Sequence, residues 1–288
     1  MNLSDRALLV QLSISQWTAR KLDKKATRQV ADANHTTTAA GRFNKVLLPM
    51  NEYLERVHSK SGLIRTLYYD NTLPWGLDGM QILPTTNYLN FMTTFRKEKA
   101  DWEFLCREFF DHYDQLKWRA KHDAQFSLGS LYNEADYPPL DDVKKKFRLD
   151  VAIFPVPTTD FRVQLGSEEL NRIQQEVEQR VKSAQNTAML DVWQRLFDRV
   201  SKIAEKCADP KAIFRDTLME NAREICDVLP RLNFADDPNL ETMRQEVEAK
   251  LLHHPEALRN NPDLRRDTAA EARRIMNVMG GYMGVLEQ

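Results

Sequence analysis

The stretch "CREFFDHYD" at residues 106–114 sets Glu108 and His112 four residues apart on one helical face, with Asp111 beside the imidazole. A carboxylate and a histidine at that spacing can form half of a carboxylate–histidine metal site. One such half is not a site, and solvated charges flanking an aromatic core stripe are the expected reading. His253 and His254 stand beside Pro255 at a helix end, where the negative end of a helix dipole is reason enough for them. Cys106, Cys207 and Cys226 are widely spaced, fall within apolar helical patterns and form no C-x-x-C pair, so they read as buried, reduced thiols. The chain contains no GxSxG nucleophile elbow, no GxxxxGK[ST] loop and no GxGxxG turn. "MGGYMG" near the C-terminus follows a helix rather than a strand, so it reads as a helix end and not as a ligand loop. No catalytic residue, metal ligand or cofactor is expected from these motifs.

The most directional chemistry lies near the start. Arg20, Lys21, Lys24, Lys25 and Arg28 fall within nine residues and only Asp23 opposes them. On a helix, Lys21, Lys24, Lys25 and Arg28 would share a face able to hold phosphates. Trp17 at the edge of this face would then be a base-stacking platform. The same cations could instead form a solvated surface, or meet an acidic surface on a neighbouring subunit. The charge layout is consistent with each. The whole chain carries −1, yet residues 1–60 carry +5 and residues 167–288 carry −4. A near-neutral total draws the molecule as a whole toward neither nucleic acid nor acidic lipid.

The elements that must position these residues are mostly helical. Nine glycines in 288 residues are few for a large sheet, and 42% apolar residues are enough for a packed core. The opening is the exception. Leu8, Val10, Leu12 and Ile14 alternate with polar residues, which predicts a strand with one buried face. Met80–Leu83, Leu149–Phe154 and Phe161–Leu165 are its expected sheet partners, and residues 20–40 read as a basic loop or a poorly packed helix. Pro49 should kink or restart the helix around it. From Leu170 to Ile203 an apolar stripe recurs at helical spacing through Leu170, Ile173, Val177, Val181, Ala188, Val192 and Leu196. A helix of about 40 residues spans roughly 60 Å, so this stripe is expected to serve self-association. Asp237-Pro238 is a cap followed by a first-turn proline, and restarts the chain as another helix. No internal repeat, signal peptide or membrane-length apolar run is present in these residues, which predicts a cytoplasmic protein with no membrane contact.

"LSISQWTARKLD" and the later "FRLDVAIFPVP" resemble a family of uncharacterised phage and bacterial proteins known only as a domain of unknown function. The likeness spans about residues 5–165. It implies a phage-type protein in the host cytoplasm beside MoxR-type AAA+ ATPases and replication or recombination machinery, and it implies no active-site residues. An AAA+ ATPase is therefore one partner the resemblance implies.

The expectation is an α+β protein, predominantly helical, with a small mixed sheet in the N-terminal part and long helices in the C-terminal part. The expected division is a mixed domain over 1–166 and a helical region over 167–288, with a long helix near 167–206. The leading functional expectation is a non-enzymatic, self-associating interaction or assembly protein of phage type. The alternative is a nucleic-acid-binding accessory factor in phage replication or recombination, and an enzyme of unrecognised type is third.

Overall fold

The computed structural model describes residues 3–49, 51–76, 79–123, 128–160, 166–209, 212 and 214–286. In chain order the elements are β1 (Ala7–Ser15), β2 (Arg20–Leu22), α1 (Lys24–Ala33), β3 (Asn44–Val46), α2 (Glu52–Asp70), β4 (Leu73–Pro74), β5 (Met80–Pro84) and α3 (Thr85–His122). There follow α4 (Leu140–Lys144), β6 (Arg148–Pro155), α5 (Ser167–Ala208), α6 (Thr217–Leu232), α7 (Pro238–Leu251), α8 (Pro255–Asn260) and α9 (Pro262–Leu286). This is the mostly helical α+β class, with one four-stranded sheet in the order β4-β5-β1-β6 and a small two-stranded sheet of β2 and β3. The expected strand at Phe161–Leu165 lies outside the described residues.

Local chemistry explains several starts. The Asn51 carboxamide oxygen accepts from the N–H groups of Tyr53 and Leu54, so α2 begins just beyond Pro49. Asp237 accepts from the N–H groups of Asn239 and Leu240 at the head of α7, with Pro238 in the first turn. Asn261 does the same for α9.

The chain forms two compact units, and the boundary between them falls within β1, α2, α3 and β6. The first unit holds residues 1–11, 68–93 and 151–288. The division expected at residue 166 does not follow these units. β1 pairs antiparallel with β5, Ala7 opposite Pro84 and Leu9 opposite Ile82. The side chains of Leu9, Leu73 and Ile82 then join the same apolar core as α5, α6, α7 and α9. Leu9 and Val10 are both buried, so this part of β1 is covered on both faces, where alternation predicted only one. At the core's centre Trp193 is fully buried, its ring stacked on Tyr282 and its N–H donated to Asp237.

The second unit holds residues 12–67 and 94–150. Its core is aromatic. Trp17 packs on Phe109 and Tyr113, and Phe147 packs on Trp102, Phe109 and Phe110. Several buried polar groups are paired into this packing. Trp102 donates its indole N–H to the Ser61 hydroxyl, and the Tyr113 and Tyr137 hydroxyls donate to the carbonyls of Pro138 and Leu47. All three cysteines are free and buried, and burial pushes the thiols up, Cys106 and Cys226 to about 12 and Cys207 to about 11.

Candidate nucleic-acid interface

The basic segment folds as β2, α1, a loop and β3, all within the second unit. Asp23 caps α1 by accepting from the Ala26 N–H. Ala26, Thr27 and Ala31 turn inward, which is why a helix with few large apolar groups still packs. Its far end closes with His35 at a φ of 51°, and the N–H of Thr36 donates back to the Ala31 carbonyl. The loop then returns to the start of α1. The Phe43 carbonyl accepts from the Asp23 N–H, and the Phe43 N–H donates to the Thr27 hydroxyl. β2 and β3 pair with Lys21 opposite Lys45.

Those two lysines bracket one carboxylate, which relieves the repulsion of like charges directly opposite each other. Lys45, only 6% exposed, lies 2.5 Å from Asp136, 3.1 Å from Asp23 and 2.8 Å from the Leu131 carbonyl. Lys21 reaches the other oxygen of Asp136 at 2.9 Å. For Asp136, burial opposes ionisation, but the hydrogen bonds from Lys45 and Lys21 outweigh it and lower the pKa. The Ala26 N–H and then Lys45 lower Asp23. Burial likewise opposes the Lys45 ammonium, and Asp136 and Asp23 overcome it, so its pKa is raised. This network locks the β2-β3 pair and the head of α1 together with the 131–136 segment.

The remaining cations of the segment stay outside the network. Arg20, Lys24, Lys25, Arg28 and Arg42 are exposed and have no ion-pair partner among the described residues, while Asp32 is the one similarly unpaired acid between residues 20 and 46. Lys24 and Arg28 are four apart on α1, and Lys25 and Arg28 three apart, so the three share one side of the helix. The first turn of α1 contains no acid, although the helix dipole favours one there. Asp32, four residues beyond Arg28, is the one acid of α1 on that side of the helix.

Two expected contact residues are placed differently. Trp17 is 7% exposed and packs against Phe109 and Tyr113 of α3, so it offers no face to a base. Lys21 lies on β2 rather than on a helix face, and its charge is engaged by Asp136. Arg20, Lys24, Lys25 and Arg28 remain as expected contacts. Arg42 and Phe43 were missed, because they are adjacent to the basic cluster only through the loop's return. Phe43 is 37% exposed, and Val30 on α1 is 52% exposed.

Other sites are weaker. Glu108 pairs with Arg56, and His112 stacks on Tyr53 while its Nδ1 faces the Glu108 carbonyl at 2.8 Å. Glu55 and His58 carry a Glu-x-x-His spacing on α2, but the His58 ring nitrogen bonds the Trp17 carbonyl. No group of three or more metal-ligating side chains converges among the described residues. In the first unit a cleft of about 540 Å³ is bordered by Arg195, Arg199, Lys202, Asp70, Asp198 and Glu224. Its charges balance, and Arg195 is committed to Asp191 and to the carbonyls of Asp70 and Thr72.

The α5 stripe divides in two. Ala188, Val192 and Leu196 are buried in the core of their own chain, under α6, α7 and α9, and are withdrawn from any interface. Leu170, Ile173, Val177 and Val181 are only half-buried, with Pro157–Thr159 alongside Val177 and Val181.

No protein-family model matches this chain, and neither a curated protein nor a solved structure matches it. Among the described residues no helix is long and apolar enough to cross a membrane.

Proposed function

We propose that this chain is a nucleic-acid-binding accessory protein that lays a phosphate backbone on the exposed face of α1. The observation that carries this is the set of five exposed cations without acidic partners, held on a rigid β2-α1-β3 frame. Neutralising phosphates releases condensed counterions, so affinity should fall steeply with salt. If all five cations contact a single strand, binding should weaken roughly a hundredfold between 50 and 200 mM salt. Fluorescence anisotropy with labelled oligonucleotides at low salt measures it. Arg20→Glu, Lys24→Glu, Lys25→Glu and Arg28→Glu together should abolish binding with the fold intact, since each side chain is exposed. Lys21 is left alone, because changing it would disturb the Asp136 pair. The absence of binding at tens of micromolar wild-type protein would remove this reading.

A second reading is self-association through the first half of α5, favoured by the half-buried run Leu170, Ile173, Val177 and Val181. Size-exclusion chromatography with light scattering should then show a mass that grows with concentration, and Ile173→Glu with Val177→Glu should return it to the monomer. A monomer mass throughout the micromolar range would eliminate the idea.

A further inference from the structure

We infer that the groove between α1 and the 34–43 loop receives an unstacked base, so that the interface prefers single-stranded nucleic acid over duplex. The inference rests on the nucleic-acid reading above and deepens it. The groove has a volume of about 310 Å³ and is bordered by Val30, Asn34, Thr36, Thr37, Arg42 and Phe43. That is room for one planar base and not for a base pair with its stacked neighbours.

Its chemistry is that of a base slot. Val30 and Phe43 expose apolar surface, and an aromatic ring can take the face of any base. The Phe43 backbone is held at both its carbonyl and its N–H, by Asp23 and Thr27, so the ring is presented from a fixed backbone. Around the rim, Asn34 commits its NH₂ to the Val30 carbonyl and keeps its side-chain oxygen as an acceptor, while the Thr36 and Thr37 hydroxyls can donate or accept. Such groups satisfy many base edges, so little sequence preference is expected. Charge complementarity selects the occupant. Arg42 is the one cation that borders the groove, and Lys24 and Arg28 lie on the helix that forms one wall, on the flanks of its lining residues. A repeating polyanion suits this distribution, whereas one acidic side chain of a peptide would meet only part of it.

The test uses the full chain, a single-stranded oligonucleotide and a duplex of the same sequence. Wild type should bind the single strand more tightly. Phe43→Ala and Phe43→Leu should weaken single-strand binding roughly tenfold and leave duplex binding unchanged. Phe43→Leu keeps apolar packing without a ring, so it remains informative if Phe43→Ala does not fold. An oligonucleotide carrying 2-aminopurine should change fluorescence on binding wild type and much less on binding Phe43→Leu. If both variants bind single strands as wild type does, while the four-site glutamate variant still fails to bind, the base slot is wrong and backbone binding stands. Equal wild-type affinity for duplex and single strand would also overturn it. If wild type binds neither nucleic acid, or binds an acidic peptide instead, both readings fall.

Discussion

Lys45→Ala should destabilise the second unit by about 3 kcal/mol at neutral pH, the lower end of what breaking a buried ion pair costs. The loss is large because Asp136 stays buried and keeps only Lys21, which it meets from the half-exposed side. It stays at the lower end because Asp23 still accepts from the Ala26 N–H. Urea unfolding followed by circular dichroism measures it. Combining Lys45→Met with Asp23→Asn and Asp136→Asn should recover much of the loss, since no charge is then buried without a counterion. The pH dependence has a definite sign. The folded-state pKa values of Asp23 and Asp136 are lowered, so their contribution is complete above the ordinary carboxylate range and disappears as pH falls through the folded values. The Lys45 pKa is raised, so its contribution is complete below about 10.5 and is lost as pH rises through the folded value. The gap between wild type and Lys45→Ala should therefore be widest near neutrality and close in acid. A gap that is constant down to strong acid would show that the network carries no stability. The consequence for binding is direct, because the same network holds the frame on which Arg20, Lys24, Lys25 and Arg28 stand.

Trp193→Ala should cost the first unit roughly 3–5 kcal/mol, as truncating a large buried aromatic does. Three elements meet at this ring. Trp193 lies on α5 with no exposed surface, stacks on Tyr282 of α9 at a centroid distance of 5.4 Å and donates to Asp237 at 3.1 Å. Asp237 is itself the cap of α7, so removing the indole both opens a cavity and frees one partner of a capping side chain. Trp193→Phe keeps one aromatic ring in the core but loses the N–H and leaves a smaller cavity, and should cost less than the alanine variant, about 2 kcal/mol. Urea unfolding of the full chain tests both. A loss below about 1 kcal/mol for Trp193→Ala would mean that the core collapses around the vacancy, contrary to the close packing expected of interiors.

The functional readings change order once the packing is known. The long apolar stripe of α5 suggested assembly first, yet Ala188, Val192 and Leu196 are used up inside their own unit. What remains for a partner is the shorter half-buried run from Leu170 to Val181. The basic segment moves the other way. Its cations stay exposed on β2, α1 and the loop that follows, while Trp17 is lost to the core.

By itself the sequence determined what is decided within a few residues. The helical stripes, the cap at Asp237, the restart after Pro49, the strand character of β1 and the buried cysteines each follow from side-chain period, capping chemistry or burial preference along one stretch. The basic cluster was legible because charge is counted without folding. Tertiary structure decided everything that depends on which stretches meet. Met80–Leu83 is legible as a sheet partner of β1, but that Leu9, Leu73 and Ile82 then share one core with α5, α6, α7 and α9 depends on packing between distant stretches, which no local signal carries. Trp17 could face solvent or core on the same strand exit, and only the arrival of Phe109 and Tyr113 settled it. Lys45 has the ordinary prior of a surface lysine. It is buried because Asp23 and Asp136, one before it and one far after it in the chain, together repay its desolvation. Phe43 and Arg42 reach the basic segment only when the loop closes on Asp23 and Thr27, through one hydrogen bond to the Asp23 backbone and one to the Thr27 hydroxyl that leave no mark in the order of the residues.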